Sequence, residues 1–407
     1  MTRSLCRLAA VLVLLLAVGL GVTAEQTAPC TIFVQPGESI QAAIDAAPEG
    51  AVICLGGRWY DEYRWNQNLT IAKSLTLRGQ DLDTTILRRT RADQPLIRIT
   101  SLESSGVVCV AIENITVDGK HGGPLAPLEH AVGILVEGTA SATISGCTVI
   151  GNNDGYGIEL AGACQATVSK CTISGNEWFG ILVHDSALAA IRDCSISANA
   201  FGIGLTDAAQ ATVYGCSISG NSAGIELVGT SAATIMDSLF FENGEAMRCA
   251  GSTRGTITCC TVSNGGMYGI RFLDSAIGTI TRCTVSRTRG GIRVEGSSQV
   301  TVTGCLLSDN DDGIGLGGSA NASIVECTIS GSEYFGVALG GRQCFSIAQD
   351  FAGSTIDEEF IGHISGHGNV IPVPSEPGGN LEGAVCPEVL SFLMTPEGGE
   401  LDRRASP

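Results

Sequence analysis

Charge is scarce in this 407-residue chain: Asp, Glu, Lys and Arg make up 16% of it and aromatic residues only 5%. An average soluble domain carries about 25% charge. A disordered chain, which combines high charge with low hydrophobicity, is therefore excluded. A helix bundle fits no better, because its exposed faces consume Glu, Lys and Arg. Basic residues are the scarcest of all, 23 Lys and Arg against 41 Asp and Glu, for a formal net charge of −18. So acidic a surface disfavours nucleic acid and anionic membranes, both of which demand clustered cations.

Long apolar runs are missing except at the start. Arg3 and Arg7 precede the run Leu8 to Val22, which is too short for a bilayer, and Val22-Thr23-Ala24 offers small residues for cleavage. Residues 1–24 are expected to be a secretory signal peptide, and the mature chain to be extracellular or periplasmic with no membrane span. Cys6 lies ahead of the apolar run, which speaks against a lipid-bearing cysteine at the cleavage point. Losing 1–24 removes two Arg and no acid, so the mature charge is 21 − 41 = −20.

What the chain does contain is glycine and cysteine, 54 and 17 residues. Cys147, Cys171, Cys194, Cys216, Ser238, Cys260, Cys283, Cys305 and Cys327 follow one another at intervals of 24, 23, 22, 22, 22, 23, 22 and 22. A second anchor repeats with them: Gly133, Gly157, Gly180, Gly202, Gly224, Ala246, Gly269, Gly291 and Gly313, each 14 residues before the next Cys or Ser238. All length variation thus falls in one turn, between an Asn and the anchor. Apolar residues sit at anchor +1, +3, +11, +14 and +16, a strand rhythm and not a helical one. Three short strands in about 22 residues leave no room for a helix and must wind as a solenoid of stacked coils. The expected fold is all-β, a right-handed single-stranded parallel β-helix with three parallel sheets.

The resemblance carried by SIQAAIDAAPEGAVICLGGRWYDE from Ser39, IAKSLTLRGQD from Ile71 and IENITVDG from Ile112 is to the pectin-lyase-like superfamily, particularly its secreted bacterial repeat proteins. It implies an amphipathic capping helix and irregular early coils. The organisation expected is a cap and first coil over 25–72, a β-helix over 73–344 with regular repeats at about 133–340, and degenerate coils, a cap and a tail over 345–407. Capping is needed because a solenoid end exposes unpaired strand edges.

Stacked in register, the ladder cysteines point the same way, poor geometry for a bridge, and are expected to be free buried thiols. Cys30 with Cys54, and Cys344 with Cys386, are the disulfide candidates. The Asn ladder Asn152, Asn176, Asn199, Asn221, Asn243 and Asn310 suits a turn and can bond from coil to coil. Tyr156, Phe179, Phe201, Tyr268 and Phe335 directly precede the anchor, with Trp178 and Tyr334 beside two of them. These rings either cover the interior at that corner or form a rim that stacks on sugar faces. At anchor +2, Arg248, Arg271 and Arg293 fall on consecutive coils. Glu226 and Glu295 can partner only the ends of that row, so Arg271 is expected as the centre of a cationic stripe for the carboxylates of an acidic polysaccharide.

Asp185 and Asp207, both at anchor +5, with His184 and Glu159 nearby, form the carboxylate set to which acid chemistry could be assigned. The same position holds Gly or Asp274 elsewhere, so a plain turn role stands beside it. Asp311-Asp312 and Gly366-His367-Gly368 are similar to fragments of polygalacturonase motifs, but no Arg-x-Lys follows the second. The Asp-Pro-His-Glu motif of alginate epimerases is missing, and His121, His130 and His363 are isolated. No metal or cofactor is expected. The leading reading is a secreted, non-catalytic β-helix protein that binds extracellular polysaccharide; the alternatives are a polysaccharide lyase, hydrolase or epimerase, and a structural envelope solenoid.

Overall fold

A computed structural model of the chain describes residues 28–56, 64–66, 68–89, 94–101, 107–120, 131–153 and 155–340, together with strand segments 345–350, 355–356, 361–365, 369–370 and 380–385. The chain is a right-handed parallel β-solenoid of about 12 turns, with three parallel sheets and one short helix. It divides into two compact units, 1–190 and 191–407.

The first unit opens with the helix Ile40–Ala46. Ser39 caps it, accepting a hydrogen bond from the Ala42 amide at 3.1 Å, and Ile40 and Ile44, one turn apart, are its buried face. The helix protects a strand edge. Leu69–Ile71 is the terminal strand of its sheet, and the Gln41 side-chain amide binds Thr70 on both sides, donating to its carbonyl at 3.0 Å and accepting from its amide at 2.8 Å. A disulfide joins Cys30 to Cys54 in the strand Ala51–Leu55. Cys344 and Cys386, the other candidate pair, lie outside the described residues, as does the segment 1–24.

Successive coils then pair in parallel. In the first unit one sheet contains Cys109–Glu113, Ser141–Ser145 and Gln165–Ser169, the second Ala131–Val136, Gly155–Leu160 and Phe179–Val183, and the third Thr116–Asp118, Thr148–Ile150 and Thr172–Ser174. The second unit repeats the pattern from Ser195–Ser197, Phe201–Leu205 and Gln210–Tyr214 onward. Residues 345–350 and 380–385 form a separate antiparallel pair.

The five apolar ranks are buried: in the coil at Gly180, Ile181, Val183, Ile191, Cys194 and Ile196 are 0–2% exposed. The ladder cysteines Cys147, Cys171, Cys194, Cys216, Cys260, Cys283, Cys305 and Cys327 are free and buried. Their sulfurs do more than fill space. Cys171 donates to the Ser169 carbonyl at 3.2 Å, and Cys305 accepts the amide of Cys283 at 3.4 Å. Ser238 serves in place of a thiol because its hydroxyl accepts the Cys216 amide at 3.1 Å and donates to the Met236 carbonyl at 2.8 Å.

The asparagines form a directional chain. Asn152 donates its amide and side-chain N–H groups to Asn176 Oδ1 at 3.2 and 2.8 Å in the first unit. In the second, Asn199 donates likewise to Asn221, and Asn221 to Asn243. Thr288 stands in the same place and donates to Asn310 Oδ1 through its amide and hydroxyl. The side-chain oxygens of Asn176, Asn221, Asn243 and Asn310 face the preceding coil. At the oxygen end of the first unit's chain lies Arg89, only 4% exposed, donating to Asn152 Oδ1 at 2.8 Å and to the Val132 carbonyl at 2.7 Å. Burial lowers its guanidinium to about 10, and a cation at the negative end of a row of amide dipoles is favourably placed.

Several glycines leave no room for a side chain. A Cβ on the anchor Gly269 would lie 2.5 Å from the carbonyl oxygen of Gly291 in the next coil. A Cβ on Gly278 would lie 2.4 Å from the ring of Phe272, a large side chain at a rank otherwise held by smaller residues. Gly278→Ala is expected to cost about 1–3 kcal/mol by overpacking, with Phe272→Leu restoring part of it. Asn221→Ala should cost a similar ~1–3 kcal/mol by orphaning buried partners. Urea unfolding of each variant checks both.

Candidate functional site

The turn after the second-sheet strand decides what Asp185 and Asp207 do. All nine anchor +5 positions, Gly138, Gly162, Asp185, Asp207, Gly229, Gly251, Asp274, Gly296 and Gly318, have positive φ, from 56° to 82°. Gly enters this left-handed region freely, and Asp tolerates it with a side chain that bonds locally. Asp185 Oδ2 accepts the Gly162 amide at 2.8 Å, and Asp274 Oδ2 makes the same bond to Gly251 at 2.9 Å. Asp207 accepts from the Thr206 hydroxyl at 2.9 Å. A recurring turn contact therefore accounts for Asp at this position.

Around Asp185 the first unit assembles a three-group cluster. Leu182 is in register with Glu159, which brings the end of one strand beside the coil before it. His184 Nε2 lies 3.0 Å from Glu159 Oε1, and its Nδ1 lies 3.3 Å from Asp185 Oδ2. The hydrogen bond to Glu159 raises the imidazole above its ordinary value; burial opposes this, and the charges of Glu159 and Asp185 add to it. The arrangement favours the protonated form of the imidazole and orients both ring nitrogens.

The rim aromatics divide by environment. Tyr156 is buried with Val132, Leu135 and Leu182, and Phe179 packs against that group, the two rings meeting edge-on at 5.8 Å. Those rings serve an apolar cluster. Trp178 stands 45% exposed in the first unit and Tyr334 56% exposed in the second. Phe201 is partly exposed, and the side chain of Phe335 lies outside the described residues.

The expected cationic stripe is neutralised. Arg271 has two acidic partners: Nη1 lies 3.2 Å from Glu245 Oε1, and Nη2 and Nε lie 2.8 and 3.0 Å from Glu295 Oε2. Its guanidinium also sits over the Tyr268 ring, 4.7 Å from the centroid. Arg248 pairs with Glu226 at 3.2 Å and Arg293 with Glu295 at 3.2 Å. The expectation that Arg271 has no acidic partner is thus overturned. Glu245 was the residue missed: it occupies the place before the anchor where other coils carry aromatics, in register with Tyr268, and that register was available from the repeat. Burial raises Glu226 and Asp312 above the usual carboxylate range. Burial also pushes Glu295 upward, but the hydrogen bond and charge of Arg271, with Arg293, prevail and hold it below.

A sequence model described as the right handed beta helix region matches residues 132–251 and 237–352. No curated protein matches the chain in sequence. Among solved structures, the Dettilon tailspike protein is similar at 14% identity and a TM-score of 0.53, over 82% of this chain and 68% of its own. The A-module of mannuronan C-5 epimerase AlgE4 from Azotobacter vinelandii is similar at 14% identity and a TM-score of 0.50, over 83% of this chain and 95% of its own. ORF18 of Geobacillus virus E2 is 11% identical with a TM-score of 0.40, over 84% of this chain, which spans 63% of that protein. At these identities the likeness is one of fold. Among the described residues no helix is long and apolar enough to cross a membrane.

The raised His184 has a consequence for stability. A histidine whose folded pKa lies above its unfolded value, about 6.5, contributes stability that is fully present below that pH. The contribution is lost as pH rises through the folded pKa. Urea unfolding of wild type and His184→Gln from pH 5 to pH 9 should show a wild-type advantage that shrinks with rising pH.

Proposed function

Because the chain belongs to the right-handed β-helix family, we propose that it is a secreted, non-catalytic protein that binds extracellular polysaccharide along the outward face of its second sheet. The carrying observation is Trp178. A large ring left 45% exposed, on the one turn that absorbs every insertion, while neighbouring Phe179 is packed away, is placed for contact with a partner. An indole face suits the apolar face of a pyranose. The fold alone does not decide this, since it supports unrelated functions. The name of one protein that shares it, a mannuronan C-5 epimerase, is that of an enzyme acting on a polysaccharide.

The clamp on His184 favours a second reading, in which Glu159, His184 and Asp185, with Asp207 as a further candidate, move protons during cleavage or epimerisation of a glycan. Size-exclusion chromatography of the secreted chain with a panel of polysaccharides separates the readings. Co-elution with intact glycan, weakened roughly tenfold by Trp178→Ala (about 1.4 kcal/mol), is the expected result. Shortened glycan, lost in His184→Gln, would establish the enzyme. No change with any glycan would leave a structural solenoid.

A further inference from the structure

Resting on the carbohydrate-binding reading, we propose that Glu245 and Glu295 set the ligand class of the second unit's face by occupying Arg271, so that this face takes uncharged polysaccharide and refuses polyanions. The outward positions from Ala223 to Gly317 on the second sheet, with Glu295 just beyond its strand, hold four acids, Glu226, Glu245, Glu295 and Asp312, and three bases, Arg248, Arg271 and Arg293. The balance is 3 − 4 = −1, within a chain whose net charge is already −18.

Each arginine there has an acidic partner, and Arg271 has two. A uronate carboxylate could reach Arg271 only by displacing Glu245 or Glu295, whose side chains are 12% and 25% exposed. Displaced Glu245 would remain partly buried, unpaired and beside a second negative charge, and displaced Glu295 would keep only Arg293. Breaking such a pair costs more than the new contact returns. The Tyr268 ring covers one face of the guanidinium.

Uncharged sugars meet no such obstacle. Their hydroxyls donate to carboxylate oxygens, which this face presents in excess, and they need no free cation. Gly290, Gly315 and Gly317 keep the surface low, with the Tyr268 ring lying over Gly290 and the Arg293 guanidinium over Gly315. A flat, hydrogen-bond-accepting surface results. Glu245 and Glu295 are specificity-determining residues in this account, acting through Arg271.

Affinity electrophoresis of the full mature chain in gels containing a neutral β-glucan or a polyuronate tests the proposal. Wild type should be retarded by the glucan and not by the polyuronate. Glu245→Gln/Glu295→Gln should gain polyuronate binding by about tenfold, the worth of one freed charged contact. That gain should vanish with Arg271→Met and weaken as salt rises from about 50 to 200 mM. Should the double variant not fold, as judged by thermal unfolding, Glu245→Gln alone is read the same way. Polyuronate binding by wild type that Arg271→Met abolishes would overturn the proposal, and so would a folded variant that gains nothing. The underlying reading fails separately: wild type that binds no glycan, with a Glu245→Gln variant that still gains polyuronate binding, would refute carbohydrate as the natural ligand while retaining the gating of Arg271.

Discussion

Parallel strands in register place each side chain directly over its counterpart one coil away, and the rest of this protein is organised around that constraint. Side chains alternate between faces with period two, so a slip of one residue would turn Ile181 and Val183 out of the core and Leu182 into it. Thiols of the cysteine rank reach the carbonyl two residues back, and several accept an amide from the coil before, which ties neighbouring coils through the corner as well as through the sheets. Insertions fall away from the cysteine corner, in the turn that precedes the anchor.

Much of this was legible in the chain itself because the repeat encodes it locally. Cys at one corner, Asn at another and Gly at the anchor are small-menu answers to a thiol hydrogen bond, a left-handed or bonded turn and a close carbonyl, and each recurs at fixed offset. Arg89 was not legible, since it lies before the regular repeats and its role depends on Asn152, far along the chain. The pairing of Arg271 was missed for a different reason. Glu226 and Glu295 are expected only at the ends of the row, whereas the Arg271 guanidinium takes Glu295 and also reaches the rank before the anchor, where Glu245 replaces an aromatic ring.

The same lesson applies to Asp185. Read as one of a pair of stacked carboxylates it suggests chemistry; seen with positive φ and a backbone amide on its oxygen it is first a turn residue, shared in kind with Asp274. What distinguishes it is His184, absent from the Asp274 turn, where Leu273 stands instead. Function on a repetitive scaffold is read in such departures from the repeat: Trp178 exposed beside packed Phe179, Glu245 in a place where several coils carry aromatics, His184 clamped beside Asp185.

The polarity of the asparagine chain bears on how the protein is made. Asn152 donates to Asn176, and Asn199 to Asn221, so these bonds close only with the coil that follows in sequence. A ribosome delivers coils in that same order. Each new coil brings the oxygen that accepts from the asparagine of the coil before, while Asn221 and Asn243 also donate back to the Ile196 and Ile218 carbonyls.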